Sequence, residues 1–402
     1  MPIIAHTTGT TVVGECGQAV QIDTVLIKVV SRCNINCSYC YVFNMGDDNW
    51  SLLEKSMSEE TIAALCTSLA QLRAYQEKPF SVVLHGGEPL LLGAKKLALV
   101  LGELREHLPN EYPISIQTNG LLITNKILDV CSDYCTSIAV SLDGPLHVHN
   151  KWRVKHNGQG SFDAVMCGIR LIQSHPDAAF LNAGLLAVID PLSNPVEVYQ
   201  FFKRIDTPSV DFLYRDGNHT NLPYGKKSFH STEYGAWMTG LLDVYLADQD
   251  PLPIRILDDM LKVILGGTVS KEGIGLTDFA IIIVDTDGSL MKNDTLKSSF
   301  NGADKFAAPV NIKDGTFLQF IYSLEFKNYL SMQKNVAAPC NACPELAVCG
   351  GGMILHRWSS ENAFDNTSVY CNDQIHLINH MRWCLMQLVP QNHYKPENAH
   401  AL

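Results

Sequence analysis

Residues 31–42 read SRCNINCSYCYV, so Cys33, Cys37 and Cys40 fall close together in one short segment. The apolar run VLIKVV at 25–30 precedes them directly, which predicts a buried strand that delivers all three thiols to the loop at its C-terminal end. In an α/β barrel that end is where reactive groups collect. Three thiolates are one short of the four that close a structural zinc site or fully ligate a four-iron cluster. The set therefore reads either as a cluster with one open iron or as a zinc site completed by a distant residue.

The same strand grammar recurs at 80–84 (FSVVL), 114–118 (ISIQT), 138–142 (IAVSL), 185–189 (LLAVI) and 210–214 (VDFLY). Between these runs, apolar residues at helical spacing predict helices over 58–74, 94–107, 125–134, 162–174 and 195–204, the first opened by a capping box of Ser56 with Glu59. Six β-then-α units imply a parallel sheet and suit a partial (β/α)6 TIM barrel better than a closed eightfold one. Beyond it, 218–229 is expected as a loop, 232–247 and 254–265 as helices, and 279–292 as a β-hairpin turning at Asp287-Gly288. The expected organisation is an N-terminal segment (1–23), the barrel (24–217), a helical bridging region (218–265), and a cysteine-rich module with a C-terminal helix (266–402).

Composition narrows the function. The chain has 402 residues, 46% hydrophobic and 18% charged, which allows a sizeable core. It shows neither a signal peptide nor an apolar run long enough to span a bilayer, so a cytoplasmic protein with no membrane partner is expected. A net charge of −11 argues against a nucleic-acid partner. Thirteen cysteines in a reducing compartment favour metal or redox chemistry over disulfides. Cys340, Cys343, Cys349 and Cys371 form a second concentration, open to a zinc knuckle or a cluster. Most of the scattered Cys16, Cys66, Cys131, Cys135, Cys167 and Cys384 are expected as buried small hydrophobes.

CxxxCxxC with Tyr39 before its last cysteine resembles the signature of the radical S-adenosylmethionine (SAM) superfamily. The resemblance implies that Cys33, Cys37 and Cys40 hold a [4Fe-4S] cluster whose open iron takes the amino and carboxylate groups of SAM. An external electron donor would then drive SAM cleavage to a 5′-deoxyadenosyl radical. HGGEP at 85–89 resembles the family's glycine-rich turn, which makes Gly86, Gly87, Glu88 and Pro89 candidate SAM contacts. QTNG at 117–120 and SLDG at 141–144 resemble pocket-lining strand ends, implicating Asn119 and Ser141. By position, Tyr39 and Val188 would neighbour the adenine, and Arg153 would pair with the SAM carboxylate.

The C-terminal cysteines resemble the SPASM extension of radical SAM peptide maturases. That extension has seven cysteines for two clusters; here Met353 and Asn293 stand at two of the positions, and the third, upstream of the hairpin, has no cysteine either. The implied result is one fully ligated auxiliary [4Fe-4S] cluster on Cys340, Cys343, Cys349 and Cys371, hence two [4Fe-4S] clusters in all. CGGGMILHRWSSENAFDNTSVYCNDQIHLI (349–378) and IVDTDGSLMKNDTLKSS (283–299) resemble the FxsB/XyeB/GrrM-type maturases, which form three-residue cyclophanes. The implied substrate is a ribosomal precursor peptide, and the implied reaction is a bond between an aromatic ring carbon and the Cβ of a nearby residue. Asp216 is the candidate base for the ring proton and His219 the second. No leader-binding domain is expected ahead of residue 25, so the body of the enzyme or another protein is expected to recognise the leader. Alternatives are another radical SAM peptide modification (epimerisation, thioether or other ring formation) or, from a different class, an iron–sulfur electron-transfer or zinc-stabilised binding protein.

Overall fold

Ten strands and fourteen α-helices occur in the computed structural model, which describes residues 20–388. The expectations for Cys16 and residues 1–19 lie outside that range. The strands are β1 (Thr24–Val30), β2 (Ile35–Cys37), β3 (Ser81–Gly86), β4 (Ile114–Thr118), β5 (Thr136–Ser141), β6 (Arg153–Lys155), β7 (Asn182–Val188), β8 (Val210–Leu213), β9 (Ile281–Val284) and β10 (Leu290–Met291). An eight-stranded sheet runs β10-β9-β1-β3-β4-β5-β7-β8, with every pairing from β9 to β8 parallel. The six strands expected from sequence are consecutive in it from β1 to the β8 edge, in chain order, as a partial barrel requires.

Helices α1 (Glu59–Tyr75), α2 (Gly93–His107), α3 (Asn125–Asp133), α4 (Leu146–Trp152), α5 (Phe162–Ser174), α6 (Ala178–Leu181) and α7 (Pro195–Ile205) cross between strands. Each of the longer ones turns an apolar stripe onto the sheet. On α1 that stripe is Leu65, Leu69 and Leu72, all essentially inaccessible, each stabilising the fold by about 1.5–3 kcal/mol. The cap of α1 differs from expectation: Ser58 accepts the Thr61 N–H, while Ser56 bridges back to Val30 and takes Lys96 Nζ at 2.8 Å. The loop leaves the sheet edge two residues later than the capping-box pattern suggested.

Helices α8 (Glu233–Ala247) and α9 (Arg255–Ile264) follow, then α10 (Phe317–Tyr322), α11 (Leu324–Lys334), α12 (Ala338–Asn341), α13 (Leu346–Cys349) and α14 (Cys371–Leu388). The 279–292 hairpin is present, and its strand β9 extends the barrel sheet beside β1. That explains the lysine within VLIKVV. Lys28 is buried in β1 and forms ion pairs with Asp285 (3.2 Å) and Asp294 (2.6 Å) from the hairpin region.

One hydrophobic core runs from Ile22 to Met381 and takes in residues of both the barrel and the C-terminal region. Cys66 and Cys131 belong to it as expected, but Cys167 is exposed and Cys135 and Cys384 are half-buried. Cys167 lies between core-facing Val165 and Ile169 on α5, and the helical turn swings it to solvent. Among the described residues no helix is long and apolar enough to cross a membrane.

Candidate active site

The loop after β1 is strapped in place by a two-stranded ribbon. β2 pairs antiparallel with β6, and the register sets Cys37 opposite Arg153. A tight turn follows, with Cys40 N–H donating to the Cys37 carbonyl (3.0 Å) and Asn44 N–H to that of Cys40 (2.8 Å). All three cysteines line one cavity of about 370 Å³. Burial, opposed in part by an Ile35 backbone hydrogen bond, pushes the Cys33 thiol up to about 12; burial and the neighbouring Cys37 push Cys40 up to about 11. Free thiols here stay protonated at neutral pH, and binding a metal as thiolates would release those protons.

Donor spacing separates the metal chemistries. Thiolates on one tetrahedral zinc lie about 3.8 Å apart, given Zn–S near 2.3 Å. Among the described residues, neither cysteine set brings three sulfurs within 4.8 Å of one another. A cluster that holds each thiolate on a different iron spaces them more widely, so both sets fit a cluster better than a single ion.

The HGGEP turn acts mainly on the cysteine loop itself. Gly87 N–H donates to the Val30 carbonyl (2.8 Å) and Glu88 N–H to that of Arg32 (2.9 Å). A Cβ on Gly87 would sit 2.2 Å from the Arg32 carbonyl oxygen, so any side chain there would push the loop away. Gly86 and Gly87 line the cavity; Glu88 and Pro89 do not. This corrects the expectation for those two. The Glu88 carboxylate is fully buried and accepts from Thr118 Oγ1 (2.6 Å), Asn119 N–H (2.8 Å) and Leu90 N–H (3.0 Å). It ties β3 to β4, with three of its four acceptor sites taken by these donors. Pro89 opens a short 3-10 helix, where its missing N–H costs nothing.

Tyr39, Asn119, Ser141, Arg153 and Val188 all line the cavity. Arg153 Nη1 donates to Tyr39 Oη (2.8 Å), and Tyr39 donates in turn to Asp143 Oδ2 (2.7 Å). Asp143 Oδ1 also accepts the Val188 N–H (3.2 Å), which fixes the end of β7. Arg153 Nε is buried without a partner. An arginine that lines a cavity with an unpaired N–H fits an anionic ligand group such as a carboxylate. Asn119 donates to Asn34 Oδ1 (2.7 Å) and to Cys33 Sγ (3.6 Å), and Ser141 Oγ accepts from Gln117 Nε2 (2.9 Å).

Asp216 lines the same cavity, and burial pushes its carboxyl up to about 7, with Arg215 pulling down and Glu272 pushing up. His219 is elsewhere, contrary to expectation. Its Nε2 lies 2.7 Å from the Thr367 carbonyl, a contact that requires the ring N–H there, and its backbone N–H donates to the Trp358 carbonyl (2.9 Å). It fastens the C-terminal segment and does not line the cavity.

Four groups went unremarked in the sequence. Glu272 lines the cavity and accepts from Asn293 Nδ2 (2.5 Å). His85 and His356 also line it, held neutral by burial at about 4 and about 3, and each has an unpaired buried ring nitrogen. Arg215 stacks over Trp152 (3.8 Å) and faces the Tyr39 ring (4.9 Å). Only His85 carried a signal, as the first residue of HGGEP.

The C-terminal cysteines come from α12, the turn after it, the end of α13 and the first residue of α14. Burial pushes the Cys371 thiol up to about 11, with Cys340, Cys349 and Cys343 adding to it, so the four are mutually close. Cys349 and Met353 line the same cavity as the N-terminal triad. Gly350, Gly351 and Gly352 turn left-handed after Cys349 at φ of 59°, 77° and 72°. The buried Arg357 guanidinium holds that turn, donating to the carbonyls of Gly351 (3.0 Å), Gly352 (2.6 Å) and Gln333 (3.1 Å).

Residues 27–176 match the Radical SAM superfamily model. The chain is 25% identical over 362 residues to a cysteine-type anaerobic sulfatase-maturating enzyme of Clostridium perfringens, covering 87% of this chain and 93% of that one. A serine-type anaerobic sulfatase-maturating enzyme of Bacteroides thetaiotaomicron is 26% identical over 363 residues, covering 83% of each. Among solved structures, native anSMEcpe with bound AdoMet and Kp18Cys peptide superposes with a TM-score of 0.76 at 22% identity, over 91% of this chain and 99% of that one. Streptococcus suis SuiB bound to precursor peptide SuiA gives 0.56 at 13% identity, over 83% of this chain and 72% of that one. These likenesses share the α/β fold described above, and the matched residues 27–176 run from within β1 to just past α5 and include the three-cysteine loop.

Proposed function

We propose that this chain is a SAM-dependent iron–sulfur enzyme that modifies a peptide, and that the modification joins an aromatic ring carbon to the Cβ of a nearby residue. What supports this most is a single cavity that gathers Cys33, Cys37, Cys40, Cys349 and the near-neutral acid Asp216. Cys33, Cys37 and Cys40 would hold a [4Fe-4S] cluster beside SAM, and Cys340, Cys343, Cys349 and Cys371 a second one. When bound, the first cluster and SAM supply a radical able to take hydrogen from an unactivated carbon.

The chain's own residues then have distinct tasks. Arg153, backed by Tyr39 and Asp143, presents the unpaired Nε–H to the ligand carboxylate. Asn119 and Ser141 offer polar atoms beside it, and Val188, Leu186 and Phe212 keep that wall apolar and dry. Asp216 removes the proton that an aromatic ring sheds when a new bond replaces its C–H, and the electron left on the ring adduct would pass to the cluster on the second cysteine set; a carboxylate near pH 7 is matched to that proton transfer. A second cavity of about 730 Å³ meets the first at Lys271, Glu272 and Gly273, which line both, so an extended peptide has room to reach the site. Two structural neighbours were solved with a peptide bound, Kp18Cys and SuiA, which supports such a substrate.

A second reading, maturation of a sulfatase, is favoured by similarity to the sulfatase-maturating enzymes along most of the chain. The two part company on product. Anaerobic protein is incubated with SAM, reductant and either the small peptide encoded beside its gene or a sulfatase-derived peptide, then analysed by tandem mass spectrometry. Loss of two hydrogens from the small peptide, with no fragmentation inside a three-residue ring, supports the crosslink. Modification of the sulfatase peptide alone refutes it.

A further inference from the structure

We propose that Asp243, His380 and Cys384 form a third metal site, for a borderline-soft divalent cation such as Zn²⁺, on the seam between α8 and α14 and separate from both cysteine sets. One ligand atom from each residue lies within 4.8 Å of the others. His380 Nε2 is 2.6 Å from Asp243 Oδ1. His380 and Cys384 stand four residues apart on α14, the spacing that puts two side chains on one helical face, as in helical zinc motifs.

The donor set selects the cation. Nitrogen, sulfur and oxygen together suit zinc, whereas calcium and magnesium require oxygen ligands and copper(I) prefers several soft sulfurs. Tetrahedral zinc with bonds of about 2.0–2.3 Å needs ligand atoms about 3.3–3.8 Å apart, a small rotamer adjustment from the observed grouping. Three protein ligands leave a fourth position for water. The Asp243 side chain is 59% exposed, which gives a cation its way in. The Trp383 ring stacks on that of His380 at 5.6 Å and 20°, limiting the imidazole's swing.

The consequence is mechanical. A cation here clamps α8 to the helix whose first residue is Cys371. The buried Lys226–Asp373 pair (2.6 Å) already fastens the start of that helix, and the metal fastens it about two to three turns on. The rival state is a plain His–Asp ion pair with a bystander thiol.

Cluster-loaded full-length protein is mixed anaerobically with a small excess of Zn²⁺ and desalted, and zinc and iron are measured. The expected result is about one zinc retained per chain with iron unchanged, and at least tenfold less in His380→Asn and in Cys384→Ser. Zinc should raise the Tm of the wild type and of neither variant. Iron content without zinc shows that each variant has folded; Asp243→Asn replaces one that has not. A wild type that emerges free of zinc, or variants that retain as much as it does, would overturn the site.

Discussion

Arg153 donates to Tyr39 at 2.8 Å while its own Nε, buried in the same cavity wall, has no partner. One nitrogen of the guanidinium is spent on the protein and another lacks a partner. Removing the Tyr39 hydroxyl leaves Arg153 and Asp143 each short of a bond in a buried setting, a cost of about 1–3 kcal/mol. Tyr39→Phe should therefore weaken SAM binding about tenfold in equilibrium dialysis while iron content stays at the wild-type level. Equal loss of iron would mean that Tyr39 supports the cysteine loop and not the ligand.

Asp216 governs the pH dependence. A base with its carboxyl at about 7 gains activity as pH rises through that value, so the crosslinking rate should climb between pH 6 and 8. Asp216→Asn should lower crosslinking by about 10²–10⁴-fold and leave SAM cleavage intact. The stability linkage has the opposite sense. A carboxyl raised on folding stabilises the protein while protonated and loses that contribution as pH rises from about 4 through about 7. Asp216→Asn should thus have a higher Tm than the wild type at pH 8, with the gap closing at pH 4.

Lys226 and Asp373 are both inaccessible and 2.6 Å apart, and Asp373 also accepts the Gly235 N–H at 2.8 Å. Lys226→Met strands a buried carboxylate, which costs about 3–5 kcal/mol. Thermal melts should show the loss, and Lys226→Met/Asp373→Leu should recover much of it. If the single variant melts like the wild type, the pair does not secure the helix that carries Cys371.

Arg357 is expected to serve one cysteine set only. Its guanidinium spans carbonyls on both the Gly350–Gly352 turn and the end of α11, a reach that a lysine cannot match. Arg357→Lys should lose about half the iron and retain SAM cleavage. Loss of cleavage instead would place Arg357 in support of the N-terminal triad.

Much of this molecule was legible because its local signals agree. Six β-branched runs and the helical spacings between them fixed the parallel sheet, and the cysteines, glycines and strand-end polar residues that line the cavity were named from short motifs. What stayed hidden depends on distant pairing. That β9 joins β1 follows from a sheet edge needing a partner, which no local pattern states. Glu88 looked like a ligand contact because a carboxylate after two glycines suits an ammonium, yet three donors from β4 and its own turn claim it. His219 lay near Asp216 in sequence, but the chain bends at Asp216 and again at 219–220, and the imidazole meets the Thr367 carbonyl instead. Glu272 comes from a segment with no recognisable motif and reaches the cavity only through the C-terminal packing.

Iron, sulfide and 5′-deoxyadenosine, measured on anaerobically reconstituted wild type, Cys33→Ala and Cys340→Ala, test the central claim most directly. The claim is that an incomplete triad and a complete four-cysteine set, opening on one cavity, divide SAM cleavage from the remaining redox work. The predicted result is about eight iron and eight sulfide per wild-type chain, about four of each in both variants, and 5′-deoxyadenosine from Cys340→Ala but not from Cys33→Ala. About four iron in the wild type, or SAM cleavage surviving in Cys33→Ala, would contradict it.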